Sequence, residues 1–349
     1  MDILIFVLAL SILVLVHEFG HFFAAKKTGV KVEEFGLGLP PRIIGKKFGD
    51  TVYSLNWLPI GGFCKLYGED GDGKGGEAFN HKNPWQKMLI VAGGVLMNLV
   101  LAVVIFSVVY GIMGVPSVTE KVTVVGISKD SPAEKAGLVE NDWIKKVNDV
   151  EIKTPQQLTD EVGKNKGKKV ELVIGGNADL RSVQIEVREN PPAGEGSMGV
   201  AISNMEMVKL PWYKFYEGIG AGFKEACYWG EIIGGGVFKM ISGLFMGNVP
   251  KDVSGPIGMY EATSAIKKSQ GMLALIHFFG VVSVNLAIVN ILPFPALDGG
   301  RIIFVLYEMI FKRKVNQKVE IVVNNIGMLL LLGLILLITV GDVGRLIRR

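Results

Sequence analysis

The chain has 349 residues, of which 49% are hydrophobic, and its mean hydropathy is +0.39. This composition excludes an ordinary soluble enzyme and indicates several membrane spans together with one soluble domain. The net charge of +4 is small. Basic residues cluster beside apolar runs, which indicates membrane flanks and no nucleic-acid partner. The two cysteines, Cys64 and Cys227, provide no disulfide framework and fit no zinc motif.

The first predicted element is an apolar helix at residues 3–25, which is long enough to cross a membrane. It contains His17, Glu18 and His21 in the order His-Glu-Phe-Gly-His. Ionisable groups are costly inside a span, which favours a functional role for them. Positions four apart share a helix face, so both histidines can bind one metal ion, and Glu18 can take a proton from water there. The alternative is a chance match, as occurs in soluble helices.

The segment at residues 26–84 is rich in lysine and arginine, which predicts a cytoplasmic loop and places the N-terminus outside. Residues 33–39 and 51–58 read as strands, and residues 59–62 as a turn into a third stretch at 63–67. The stretch is unusually apolar. It is either a plain cytoplasmic hairpin or a sheet that dips into the membrane beside the site, where non-helical backbone must be buried in protein or line a wet cavity.

A second span is predicted at residues 85–111. Gly93 and Gly94 within it allow another helix to approach closely. Asn98 is interpreted as a residue that hydrogen-bonds a neighbouring helix.

Residues 118–190 are more charged and alternate short strands with short helices. The runs SPAEKAGL and ENDWIKKVNDVEI resemble the usual pattern of a PDZ domain, with Asn141 in place of the usual glycine before Asp142. PDZ domains bind extended peptides by adding a strand to a sheet edge. The alternative is a structural plug or spacer that binds no peptide.

Residues 191–271 are predicted to be a linker, with a possible strand at residues 198–202, followed by interfacial helices. Residues 212–247 combine aromatic side chains with scattered charges, which suits amphipathic helices that lie on the outer membrane surface and do not cross it.

The third span is predicted at residues 272–292, and it runs into the sequence NILPFPALDGG. Pro293 and Pro295 cannot continue a regular helix, so the chain unwinds at membrane depth beside Asp298. Asp298 is the natural third metal ligand, because catalytic zinc sites use three protein ligands and keep a fourth position open. The alternative role for Asp298 is a helix N-cap. Residues 301–349 are predicted to be a cytoplasmic loop and a fourth span at 325–340, with a basic tail outside.

HEFGH in one span, the PDZ pattern and NILPFPALDGG in another together resemble the site-2 proteases, specifically the bacterial RseP-type intramembrane zinc metalloproteases. FGLGLP and NWLPIGGFCKLYGED are similar to that family's re-entrant β-region, and SGPIG to its segment before the third span. One PDZ pattern is found here, whereas members of that branch often carry two.

The resemblance implies a polytopic α-helical membrane protein with about four spans, a re-entrant β-hairpin and an inserted α+β PDZ domain. It also implies a multi-pass enzyme of the bacterial inner membrane, with the PDZ domain extracytoplasmic as a size filter. Such an enzyme holds Zn²⁺ and cleaves single-span membrane proteins, such as anti-sigma factors or remnant signal peptides. The substrate unwinds and pairs with the sheet, and the implied substrate-binding residues are Asn290, Pro293, Pro295, Gly61, Gly62 and Phe63.

Two other classes of function compete with this interpretation. In a transporter, the buried histidines, glutamate and aspartate would relay ions, but four spans without repeated halves argue against it. A catalytically inactive relative would only bind membrane partners, and the intact Glu18 argues against that.

Overall fold

The computed structural model describes residues 2–69, 73–175, 180–192, 194–209, 211–246 and 255–347. The chain divides into two compact units. The first, here called the helical unit, comprises Met1–Ile112 and Tyr213–Arg349, and the second, the inserted unit, comprises Met113–Trp212.

Four helices of the described part are long and apolar enough to cross a membrane. They are α1 (Asp2–Lys27), α2 (Pro84–Met113), α6 (Pro256–Ile291) and, in its Lys318–Asp342 stretch, α8 (Gln317–Ile347). Apolar residues occur on all sides of these helices, as expected where lipid surrounds them. The four candidate spans predicted from the sequence are thus found as helices of sufficient length and hydropathy.

The strands of the helical unit are β1 (Val32–Phe48) and β2 (Thr51–Leu66), which pair with each other. Each strand folds back on itself, so that four segments lie side by side. One row across the sheet runs Cys64, Phe35, Tyr53, Lys46, because Phe35 pairs with both Cys64 and Tyr53, and Tyr53 pairs also with Lys46. The predicted turn at residues 59–62 lies inside β2, where Gly61 has a φ of 86°. The last part of β2 is thus one edge of the sheet.

The third predicted span is longer than the sequence indicated. Helix α6 begins at Pro256, and Gly271, with φ 86° and ψ −173°, interrupts its helical geometry just before the predicted start at residue 272. Glycine adopts this positive φ without steric cost, which is why the chain can change direction there. Polar contacts join the first half of α6 to the start of α1 and to the end of α8.

Asp342 near the end of α8 accepts hydrogen bonds from the backbone N–H groups of Gly255 and Gly258, at 3.0 and 3.1 Å. Asp2 at the start of α1 pairs with Lys267 of α6 at 2.7 Å. The start of α1, the first half of α6 and the end of α8 therefore lie at the same end of the helical unit.

Helix α5 (Phe215–Phe245) is a single helix where several amphipathic helices were predicted. Glu225 of α5 accepts hydrogen bonds from Tyr110 of α2 and from Trp229 at 2.8 Å each, and contacts His277 of α6 at 3.1 Å. These contacts fasten α5 to the helices that flank it. The predicted cytoplasmic loop after residue 300 is likewise largely helical, because α7 spans Asp298–Phe311.

The inserted unit is a six-stranded sheet with two short helices packed on it. Its elements are β3 (Val115–Ile127), α3 (Pro132–Lys135), β4 (Trp143–Val147), β5 (Val150–Glu151), α4 (Pro155–Lys164), β6 (Lys169–Gly175), β7 (Leu180–Glu186) and β8 (Val200–Val208). The strand order is β7-β6-β4-β3-β8, with β5 beside β4. The inserted unit extends past the predicted bounds of 118–190, because β8 lies in the predicted linker and pairs with β3. A possible strand at residues 198–202 was expected in this stretch, but its pairing with β3 joins distant segments and could not be read from the local pattern.

Parts of the predictions fall on Gly247, Lys251, Ser254, Arg348 and Arg349, which lie outside the described residues.

Candidate metal centre and cavity

Glycines on α1 and α2 allow the two helices to approach closely, which places the histidines of α1 beside α2. A Cβ at Gly20 would lie 2.1 Å from the carbonyl oxygen of Gly93, and a Cβ at Gly94 would lie 2.4 Å from His21 Nε2. Any larger side chain at these positions would therefore separate the two helices. This close approach, which small residues permit between membrane helices, puts His17 and His21 against α2.

The loop after α6 brings Asp298 to the histidines. Helix α6 ends at Ile291, the loop holds Ala296 at φ 74°, and α7 begins at Asp298. A Cβ at Gly299 would lie 2.1 Å from the carbonyl oxygen of Leu292, and one at Gly300 would lie 2.5 Å from that of Phe294. The two glycines thus allow the first turn of α7 to pack closely against the backbone of the loop.

The three side chains converge on one point. His17 Nε2 lies 3.2 Å and His21 Nε2 3.4 Å from Asp298 Oδ2, and the two nitrogens are 3.3 Å apart. A tetrahedral ion with bonds of about 2.0–2.1 Å has ligand atoms about 3.3 Å from one another. The three atoms therefore have the spacing of one face of a zinc tetrahedron.

The hydrogen bonds behind these ligands suit metal binding. His21 Nδ1 lies 2.9 Å from the carbonyl oxygen of Ile90, so Nδ1 carries the proton and Nε2 offers its lone pair. The Asn98 amide lies 3.2 Å from His17 Nδ1. The amide nitrogen Nδ2 is the atom that faces the ring, and an end-over-end turn of the amide would let its oxygen accept the Nδ1 proton in the same way.

The carboxylate supplies an independent test of the fit. Asp298 Oδ2 is buried and has no hydrogen-bond partner among the described residues, although both imidazole nitrogens lie close to it. A buried carboxylate oxygen in this state is costly unless a charge compensates it. A cation shared by the three side chains would provide that charge, and two imidazoles with one carboxylate are a donor set that zinc accepts.

A cavity of about 530 Å³ opens at this point, and Glu18 lies in its wall together with the three candidate ligands. Of the predicted substrate-binding residues, Phe63 and Asn290 line it. A Cβ at Gly62 would lie 3.6 Å from Glu18 Cγ, so the edge of the sheet runs past the glutamate. Gly61, Gly62, Pro293 and Pro295 are not among its lining residues, although Gly61 bends β2 and Pro295 packs against Gly327 of α8.

Three contributors were not assigned to the site from the sequence. Asn98 was interpreted as a helix–helix contact. The sequence analysis gave no role in the site to Ile90, whose carbonyl contacts His21, or to the ion pair Glu69–Arg301, and all three residues line the cavity. An amide in the middle of a span was the available signal for Asn98. Ser283 of α6 donates a 2.8 Å hydrogen bond to the carbonyl of Asn98. This bond connects α6 to α2 beside His17.

Proteins of three bacteria are similar to this chain over nearly its whole length. A protein from Clostridium acetobutylicum is 33% identical over 342 residues, covering 98% of this chain and 97% of that one. One from Clostridium perfringens is 35% identical, with 98% of each chain covered, and one from Campylobacter jejuni is 33% identical, with 98% and 93% covered. Each of the three is provisionally named a zinc metalloprotease.

Among solved structures, the PDZ domain of an SdrC-like protein from Listeria monocytogenes is similar to 24% of this chain, at 20% identity and a TM-score of 0.22 over 87% of that domain. The family model described as Peptidase family M50 matches residues 5–334. With that match over most of its length and relatives at 33–35% identity, the chain belongs to Peptidase family M50, the site-2 protease family.

Proposed function

We propose that this protein is an intramembrane zinc metalloprotease that hydrolyses peptide bonds within the membrane spans of other proteins. One observation carries the proposal: His17, His21 and Asp298 present ligand atoms within 4.8 Å of one another. The two histidines belong to a helix that is long and apolar enough to cross a membrane. The zinc metalloprotease names of the relatives agree with this chemistry.

A zinc ion at this site supplies Lewis acidity, which polarises the scissile carbonyl and makes water easier to deprotonate. Glu18, the neighbour of His17 in the cavity wall, takes the proton of the attacking water as a general base. A bond forms between the water oxygen and the carbonyl carbon, and the C–N bond breaks. Glu18 then gives the proton to the leaving amine nitrogen, so that a carboxylic acid and an amine result.

The substrate is proposed to bind as an extended strand. Among the described residues, no segment pairs with the outer flank of residues 62–66, and this flank lies beside Glu18. An unwound substrate that added itself there would gain main-chain hydrogen bonds close to the metal. Phe63 and Asn290 would contact it from the cavity wall, while Gly61, Gly62, Pro293 and Pro295 would shape the sheet and the loop around it.

The exposed apolar surface of the sheet supports the proposal that the sheet inserts into the membrane. Its exposed apolar side chains include Ile44, Phe48 and Trp57, which are 65, 78 and 69% exposed. Exposed apolar surface of this extent marks a contact with lipid or protein. We therefore propose a re-entrant sheet in a multi-pass protein of the bacterial inner membrane, with the inserted unit as an extracytoplasmic PDZ domain. The substrates would be single-span proteins cut in regulated intramembrane proteolysis, such as anti-sigma factors or remnant signal peptides.

The decisive experiment uses a tagged single-span substrate in proteoliposomes. We expect cleavage by the wild type, loss of cleavage with a chelator, and recovery when zinc is added back. Glu18→Gln keeps the size of the side chain but removes the base, so it is expected to retain zinc and cut nothing. Appreciable turnover by Glu18→Gln would refute the assignment of the base, and cleavage that persists in chelator would refute the zinc mechanism.

A further inference from the structure

An ion pair connects the edge of the sheet to the helix that carries the third candidate ligand. Arg301 Nη1 of α7 contacts Glu69 Oε1. The other oxygen of Glu69, Oε2, accepts a 3.2 Å hydrogen bond from the backbone N–H of Leu66, the last residue of β2. A single carboxylate therefore bridges α7 and the edge strand.

The two ends of this bridge face the same cavity. Arg301 lies three residues after Asp298, which places both on one face of α7. Glu69 and Arg301 line the cavity together with Phe63 of the edge strand. The bridge is therefore a polar connection between the edge strand and the helix that carries Asp298.

A second buried ion pair holds the far end of α7. Glu308, two turns after Arg301, lies 2.7 Å from Lys87 of α2, and the side chains of this pair are only 14 and 8% exposed. Helix α7 is thus fixed to α2 at one point and to the edge strand at another. Asn98 and the carbonyl of Ile90, which contact the histidines, also belong to α2. Lys87 therefore connects α7 to the helix against which the histidines pack.

We propose that Glu69 and Arg301 are positioning residues that set which peptide bond of the substrate lies at the metal. This inference rests on the proposed function, in which the substrate pairs with residues 62–66. The bridge holds that edge strand at a constant offset from Asp298. Without it, the strand and the paired substrate can shift relative to the metal. Because side chains alternate along a strand, the shift that preserves their orientation is two residues.

The test maps the cleaved bonds by mass spectrometry of the products from a tagged single-span substrate. The wild type is expected to cut one principal bond. Arg301→Gln and Glu69→Gln, which each remove one charge of the pair, are expected to add products displaced by about two residues. Arg301→Lys, which keeps the charge, is expected to restore the principal bond at least in part. Lys312→Gln removes an exposed cation just after the same helix and serves as the matched control.

A second measurement does not depend on turnover. In the inactive Glu18→Gln background, a photo-crosslinker placed at position 63 reports which substrate residue lies beside the edge strand. We expect one principal adduct, and a set spread by about two residues when Arg301→Gln is added. The zinc content of each variant is measured in parallel and is expected to match that of the wild type.

The outcomes separate positioning from structural support. Cleavage at the wild-type bond alone by both charge-removing variants, at whatever rate, would overturn the proposal, and so would an unchanged crosslinking pattern. Loss of zinc or of folded protein in both variants would show that the pair supports the fold, which would also overturn it. These results differ from failure of the proposed function itself, in which the wild type would not cut the substrate.

Discussion

At the residue scale, the candidate metal centre depends on the donor atoms of three side chains and on the groups behind them. His17, His21 and Asp298 would each supply one ligand atom, and their mutual spacing of 3.2–3.4 Å leaves room for one ion. Removal of any one of them would leave two protein ligands, which is fewer than catalytic zinc sites use.

His21→Ala is therefore expected to reduce the zinc content of the purified protein from about one per chain to near zero. The metal content is measured by plasma mass spectrometry after gel filtration. His81→Ala is the matched control, because His81 is an exposed histidine of the same unit. Full zinc retention in His21→Ala would remove His21 from the site.

Asn98 is expected to act on zinc through His17. It is fully buried on α2, and its amide is 3.2 Å from His17 Nδ1. Partners of this kind orient a metal-binding imidazole, so Asn98→Ala is expected to weaken zinc binding about 10- to 100-fold. Competition with a chromophoric chelator measures the affinity. Ser107→Ala is the control, because that hydroxyl bonds only within α2 among the described contacts. An unchanged affinity in Asn98→Ala would reduce Asn98 to a packing role.

At the element scale, the sheet has two edges of different surroundings. The edge at residues 62–66 lines the cavity through Phe63, Cys64 and Leu66, whereas residues 42–48 form the opposite edge, which carries exposed Ile43 and Ile44. Only the first edge can offer its backbone to a substrate at the metal. The difference allows a comparison within one sheet.

Proline removes a backbone donor, so single prolines at positions 63, 64 and 65 test the pairing. Where the removed N–H points away from β1, cleavage is expected to slow by about 2- to 10-fold per lost hydrogen bond, with zinc retained. Cleavage assays and metal analysis are run on each variant. Lys46→Pro on the opposite edge is the control. If all three edge variants cut at the wild-type rate, the sheet has no part in substrate binding.

At the scale of the whole molecule, the candidate metal ligands would constrain how the chain crosses the membrane. Asp298 follows α6 and the histidines lie in α1, so both helices must reach the same depth at their ligand ends. The contacts Asp2–Lys267 and Asp342–Gly255 place the opposite ends of α1, α6 and α8 together. The chain after α5 must accordingly reach the end at which α6 begins.

The connection after α5 limits its path. Eight residues lie between Met246 and Gly255, and the nine Cα–Cα steps from one to the other reach about 30 Å when fully extended. A crossing α5 would need nearly all of this reach to return across the membrane core. Its five charged residues, Glu217, Lys224, Glu225, Glu231 and Lys239, also make a crossing costly. We therefore expect both ends of α5 to stay on the outer side.

Cysteines introduced at positions 214 and 251 test this topology, in a background without Cys64 and Cys227. A membrane-impermeant maleimide added to intact cells should label both positions, because neither end would be inside. Labelling in permeabilised membranes controls for burial at each position. If position 214 alone were labelled in intact cells while both react after permeabilisation, α5 would cross and the shared metal centre would be untenable.

The sequence by itself determined the four candidate spans, the types of the candidate ligands and the two motifs that carry them. Long apolar runs and fixed local spacings depend only on near neighbours in the chain, which is why His17, His21 and the break at Pro293 and Pro295 were readable. Tertiary structure decided what those residues touch. The pairing of β8 with β3, the edge at residues 62–66 and the Glu69–Arg301 bridge join segments far apart in sequence, the last across 232 residues. No local periodicity encodes such partners, because only packing of the whole chain brings them together.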